Sequence, residues 1–183
     1  MICTFIGGAG SKKSEYAEDL AVRLKKLPPV YLASMINASP EDEKIVQRHR
    51  ALRQGKGFVT VEKPARLYEV HLPVCDTVLL EDVPNLAANE IFSYNEPAAP
   101  GKAYSEIIKG IDFLARKAEN LIVVTGNVFE DGNIYDEAAE SYLKILGEAN
   151  MHLADISDVF AEIINGYPLF YKGSADYLIN FNV

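Results

Sequence analysis

Short apolar runs rich in β-branched residues recur along the chain at positions 2–6, 30–34, 77–80, 121–125 and 159–164. Such runs lack the strict alternation of a half-exposed strand, and their length suits strands buried on both faces. Between them the pattern changes to a helical period. Positions 14–26 place Ala17, Leu20, Ala21 and Leu24 on one face, and 104–118 gather Ile107, Ile108, Ile111 and Leu114. Positions 136–153 do the same with Ala138, Tyr142, Ile145, Leu146, Ala149 and Leu153. Buried strands alternating with amphipathic helices predict a three-layer α/β fold built on a mainly parallel sheet. Segment 93–101, which carries Pro97, Pro100 and Gly101 between helical patterns, is expected to be an exposed loop.

In such sheets ligands sit outside the carboxyl ends of strands, and the first strand ends in the most informative stretch of the chain. Gly7-Gly8-Ala9-Gly10-Ser11-Lys12-Lys13-Ser14 fits the phosphate-loop pattern G-x-x-x-x-G-K-[ST] at Gly7, Lys13 and Ser14, with Lys12 where the second glycine belongs. A phosphate loop works because successive backbone N–H groups and the positive end of the next helix converge on one anion. Glycine lets the backbone curl that way, so Lys12 is expected to strain or open the loop while adding a second cation beside Lys13. With this loop the expected architecture is P-loop NTPase-like (RecA-like). An ordinary glycine-rich turn followed by surface lysines is the alternative that the motif alone leaves open.

Composition narrows the possibilities. At 183 residues the chain is expected to form one nucleotide-binding domain, 1–183, with a single substantial core. A hydrophobic share of 49% is globular, yet no run approaches the roughly 20 apolar residues of a membrane span. Nor does the amino terminus resemble a signal peptide, which makes the cytoplasm the expected location. A net charge of −8 argues against a nucleic-acid surface, so anions must be met locally by loops such as that of Lys12 and Lys13. Cys3 and Cys75 read as buried thiols, and His71 and His152 stand too far from other ligands to suggest structural zinc.

Two further places carry chemistry. The second strand leads into a helical pattern at 40–53, with Asn37 or Ser39 as N-cap and acids in its first turn. His49 lies on its inward face, among Arg48, Arg50 and Arg53. Arginines hold an imidazole neutral, and a neutral imidazole is a nucleophile toward a phosphorus that those arginines bind. On the pattern alone, a histidine simply packed at a helix end near solvated arginines is the plainer reading. The third strand ends Leu79-Leu80-Glu81-Asp82, where a carboxylate would hold Mg²⁺ against phosphates together with the Ser14 hydroxyl. The acids of 129–133 read as turn chemistry.

Taken together, these stretches resemble the bifunctional adenosylcobinamide kinase / adenosylcobinamide-phosphate guanylyltransferase family of cobalamin biosynthesis. The similarity is carried by the phosphate loop with Glu15-Tyr16-Ala17-Glu18, by Tyr31-Leu32-Ala33-Ser34 with Gln47-Arg48-His49-Arg50 and Arg53, and by Phe58-Val59-Thr60-Val61-Glu62-Lys63-Pro64. Leu79-Leu80-Glu81 with Asn89, then Gly147, Asn150, Leu153, Ala154 and 166–173, extend it over nearly the whole chain. The resemblance implies that His49 receives GMP from GTP and passes it to adenosylcobinamide phosphate. It also implies that residues 7–14, Arg50, Arg53, Glu62 and Glu81 bind nucleotide (GTP or ATP), that Ser14 and Glu81 hold Mg²⁺, and that the subunits form a homo-oligomer, in the family a trimer.

Three departures from the family pattern stand out. Lys12 replaces the loop glycine, Gly126-Asn127-Val128 stands where relatives show Asn-Glu-Val-Gly, and Tyr135-Asp136-Glu137 with Glu140 brings acids where they carry basic residues. Acids near a triphosphate weaken its binding by Coulomb repulsion. A degenerate, non-catalytic nucleotide- or corrinoid-binding relative is therefore the alternative function.

Overall fold

The computed structural model describes residues 1–36, 46–47, 50–51, 53–92, 100–128 and 135–179. In chain order the elements are β1 (Ile2–Ile6), α1 (Lys13–Leu24), β2 (Val30–Ala33), β3 (Val59–Glu62), β4 (Thr77–Glu81), α2 (Val83–Phe92) and α3 (Pro100–Lys117). They continue with β5 (Asn120–Val124), α4 (Glu137–Ile156), β6 (Val159–Ile164), β7 (Tyr167–Lys172) and a short α5 (Ala175–Ile179). Val46, Gln47, Arg50, Ala51 and Arg53 are helical as well.

All seven strands form one sheet in the order β3-β2-β4-β5-β1-β6-β7, with β7 antiparallel to β6 and every other pairing parallel. The α/β, mainly parallel architecture expected from the alternating pattern is present. Strands β1 and β6 have the expected limits, β2 and β4 differ by one residue at their carboxyl ends, and β5 is displaced by one residue at both ends. Helix α3 begins at Pro100, so Pro100 and Gly101 belong to a helix and not to the expected exposed loop. Proline suits the first turn of a helix because its missing N–H would have no partner there. The rest of that expected loop, 93–99, lies outside the described residues, as do the acids of 129–133.

Alternate residues of the central strands feed two cores. Val78, Leu80, Leu121 and Val123 pack with α2, α3 and α4, whereas Phe5, Leu79, Ile122 and Val124 pack on the opposite side with Ala17, Leu20, Ala21 and Leu24 of α1. A strand segment that supplies both cores is apolar on both faces, which is why Val78–Leu80 of β4 and Leu121–Val124 of β5 read as unbroken runs. The β6–β7 connection is a two-residue turn in which Asn165 and Gly166 both take positive φ (51° and 88°), the backbone that matches the twist of paired strands.

The α1–β2 connection is tied to the start of β4 by one side chain. Asp76 accepts the backbone N–H groups of Lys26 (3.0 Å) and Leu27 (2.7 Å) and the Thr77 hydroxyl (2.9 Å). Burial alone would push the Asp76 carboxyl up, but these donors outweigh it and hold the group below its usual value. Its stabilising contribution is therefore present above the unfolded carboxyl pKa and lost as pH falls through the lowered folded value. Asp76→Ala is expected to cost about 2 kcal/mol near neutral pH and to flatten the acid limb of stability below about pH 4, read from urea midpoints across pH.

Candidate functional site

The loop after β1 is held from three sides. Ser11 N–H bonds Gly8 O (3.3 Å), Asn127 N–H bonds Gly7 O (3.3 Å), and Gly166 N–H from the β6–β7 turn bonds Ser11 O (2.8 Å). A Cβ on Gly7 would meet Ile163 O and Ser11 Oγ, both at 2.8 Å, so glycine is required there by close approach. Gly8, Ala9 and Gly10 face solvent, Gly10 at φ +74°. Lys12 immediately precedes α1 with φ +68° and ψ 19°. The position therefore keeps the left-handed conformation that glycine normally supplies, and a lysine occupies it at a cost of about 1 kcal/mol or more. Its side chain runs outward, with Cδ 3.4 Å from where a Cβ on Gly166 would stand. Lys12 thus strains the loop without opening it. Lys13 Nζ reaches back over the loop to Gly8 O (3.3 Å), and the first turn of α1 leaves backbone N–H groups with no partner inside the helix.

Glu81 ends β4 beside this loop. Because β4 and β1 flank β5 in register, the carboxyl end of β1, which leads through the loop to Ser14 of α1, lies near that of β4, which carries Glu81, and the Ser14 hydroxyl donates to Glu81 Oε1 at 2.6 Å. The other oxygen, Oε2, is buried without a hydrogen-bond partner among the described residues. Burial and then the neighbouring Asp82 push the Glu81 carboxyl up to about 8, against the pull of Ser14 and Lys13. An orphaned carboxyl oxygen beside a P-loop serine fits a divalent cation, whose charge would return the group to carboxylate. Asp82 has a different task. Its Oδ1 accepts Asn85 N–H (2.9 Å) and so caps α2, while Ser34 Oγ accepts Asp82 N–H (2.9 Å) and Ser34 N–H bonds Glu81 O (2.9 Å).

Beyond Glu81 opens a cleft of about 240 Å³ lined by Tyr31, Thr60, Glu62, Glu81, Asp82, Asn85, Arg50 and Arg53, among others. Arg53 is buried, its guanidinium 3.4 Å from the centroid of the Tyr31 ring, and its Nη1 has no hydrogen-bond partner. Arg50 Nη2 donates to Glu62 Oε1 at 3.1 Å. The site residues read from sequence therefore fall into two adjoining groups: loop residues 7–14, and the cleft set of Arg50, Arg53 and Glu62, with Glu81 between them. His49 and Arg48 lie outside the described residues.

The sequence assigns no site role to several contributors, although Tyr31, Thr60 and Asn89 stand in stretches that carry the family resemblance. Tyr31 is a buried strand residue whose ring becomes the bed for Arg53 only through folding. Thr60 and Asn85 reach the cleft from β3 and α2, and Asn89 Nδ2 bonds both Ser34 O (2.7 Å) and Pro64 O (3.0 Å), joining β2 to the chain after β3. The acidic departures also acquire a local reason. Asp136 Oδ1 accepts Ala139 N–H (2.8 Å) and caps α4, where Glu137 and Glu140 in the first turn complement the helix dipole.

The raised Glu81 carboxyl makes a stability prediction for metal-free protein. A folded value above the unfolded one means that the contribution is present at low pH and lost as pH rises through about 8. Glu81→Gln cannot titrate, so its urea midpoint relative to wild type is expected to climb between about pH 5.5 and about pH 8.5 in chelator. Parallel curves for the two proteins would refute the raised value.

Comparison with known proteins places these features. The profile of the cobinamide kinase / cobinamide phosphate guanyltransferase family matches residues 3–170. No curated protein matches the chain. Among solved structures, the KaiC-like protein PH0186 of Pyrococcus horikoshii OT3 is similar at a TM-score of 0.51 and 12% identity, over 95% of this chain and 80% of that one. The flagellar accessory protein FlaH of Methanocaldococcus jannaschii gives a TM-score of 0.45 at 12% identity, over 94% and 78%. At such identity the first of these speaks for the P-loop NTPase-like fold alone. Since the family profile runs from β1 and the phosphate loop to the middle of β7, the chain belongs to the cobinamide kinase / cobinamide phosphate guanyltransferase family.

Proposed function

We propose that this protein binds GTP with Mg²⁺, phosphorylates adenosylcobinamide with GTP or ATP as donor, and guanylylates the resulting phosphate through His49. The observation that carries the reading is the 2.6 Å hydrogen bond from Ser14 to Glu81, which joins a phosphate loop to a buried carboxyl with one oxygen unused. Lys13 and the loop amides bind phosphates, and Ser14 and Glu81 hold the ion, Glu81 directly or through water. The ion supplies neutralisation of charge on the phosphate oxygens. In guanylylation the His49 imidazole forms a P–N bond at the α-phosphorus as the P–O bond to pyrophosphate breaks. A phosphate oxygen of the cobinamide phosphate then attacks that phosphorus and the imidazole leaves. Arg50 and Arg53 steady the transferred group, with Glu62 holding Arg50 at the cleft. On the family pattern the protein works as a homo-oligomer, a trimer with sites between subunits.

Incubation with Mg²⁺ and GTP labelled at the α-phosphate, followed by denaturation, is expected to leave acid-labile label on wild type and none on His49→Ala. Equal label on both proteins would remove His49 from the reaction.

The lysine in place of the loop glycine favours a second reading, a non-catalytic relative that keeps the fold for binding. Lys12→Gly is expected to raise stability by about 1 kcal/mol by relieving the backbone. If it also creates kinase activity in a protein otherwise inert, loss of the loop glycine is what silenced the kinase; activity in wild type excludes the second reading.

A further inference from the structure

Lys56 takes no part in the proposed reaction, yet it attaches the arginine-bearing segment to α1. The arginine-bearing segment closes in a tight turn, with Gln54 N–H on Ala51 O (3.1 Å) and Lys56 N–H on Arg53 O (3.0 Å). Gly55 and Gly57 flank Lys56 at φ 85° and 79°, so the chain bends on both sides of it and presents it to α1. Its ammonium donates to Glu18 Oε2 and to Asp19 Oδ1, both at 2.9 Å, and its carbonyl accepts Lys25 Nζ at 2.8 Å. The Glu18 side chain is only 2% exposed.

A buried carboxylate is a costly way to gain stability, because apolar groups of similar size often serve as well. What an ion pair adds is a fixed position: Lys56 has one place to go, and three residues before it stands Arg53. The Arg53 guanidinium rests on Tyr31, its Nη1 has no hydrogen-bond partner among the described residues, and its charge acts on the Glu18 carboxyl, so the clasp bears on it both through the backbone that carries it and through Glu18.

We propose that Lys56 is a positioning residue whose clasp on Glu18 and Asp19 sets the Arg53 guanidinium in the cleft and ties it to the helix that begins at the phosphate loop. Phosphate binding at the loop and transfer in the cleft then share one frame, and displacement of the clasp misplaces Arg53 without touching the loop. What Arg53 does in the cleft rests on the proposed function; where it lies does not.

The test follows the Arg53 Nε–H resonance in intact protein carrying isotope-labelled arginine, assigned by its loss in Arg53→Lys. Stacking on Tyr31 displaces this signal from those of exposed arginines. In Lys56→Met it is expected to move to the exposed position, and in Lys56→Arg to stay. Glu18→Gln combined with Lys56→Met removes both partners without stranding a buried charge, so the same movement there separates loss of the clasp from general instability. Histidine labelling from GTP is expected to slow on the order of 10- to 100-fold in Lys56→Met with the affinity for Mg²⁺–GTP unchanged, and to recover in Lys56→Arg. An undisplaced Arg53 signal in both Met-containing variants overturns the proposal. A displaced signal in a protein whose wild type takes no label upholds the clasp and counts against guanylyl transfer.

Discussion

The hydrogen bond from Ser14 to Glu81 is the contact on which the rest of the site depends. It exists because parallel pairing brings the carboxyl ends of β1 and β4 to the same edge of the sheet, one strand apart across β5. Remove that juxtaposition and the loop is an ordinary glycine-rich turn, while Glu81 is a buried acid with no reason to be there. The cost of the arrangement is visible in the carboxyl itself. Burial beside Asp82 drives it toward the neutral form, and a group poised in that way responds strongly to an arriving cation.

The loop shows how a departure from a motif can be absorbed. Lys12 stands in the left-handed conformation of the missing glycine, so the backbone path needed for an anion persists with a different side chain on it. The neighbourhood explains how. Gly166, itself at positive φ, leaves open the space that the Lys12 stem runs over, and its N–H bonds Ser11 O. The β6–β7 turn and the phosphate loop thus support one another. Strain at one residue is tolerable when its surroundings determine the backbone more strongly than its own preference does.

On the far side of Glu81 the cleft is built differently, from side chains on β2, β3, β4, α2 and the arginine-bearing segment. Its two arginines are not equivalent. Arg50 is exposed and bonded to Glu62, whereas Arg53 is buried, stacked on Tyr31, and keeps an unpartnered Nη1. A guanidinium that is weakly hydrated and planar suits such a place better than an ammonium would. Glu81 belongs to both the loop and the cleft, which makes it the physical link between them.

By itself the sequence determined the strand and helix pattern, the glycine-rich loop before α1 and the place of Glu81 at the end of a strand, because these are written in local spacing: doubly buried strands read as apolar runs, and the loop as glycines before Lys13-Ser14. It left β3 and β7 unread, since both are edge strands with mostly exposed residues and the apolar residues of β7 are interrupted by Pro168, although Asn165-Gly166 is a legible hairpin turn. It could not say whether Lys12 opens the loop, because backbone conformation there is imposed by Gly166 and Ser11. Only the tertiary structure decided that Asp82 is a cap, that Asp136 caps α4, that Tyr31 carries Arg53, and that Lys56 reaches back to Glu18. Each of these is a contact between residues that the chain keeps apart or a cap defined by where a helix begins, and no local spacing encodes either.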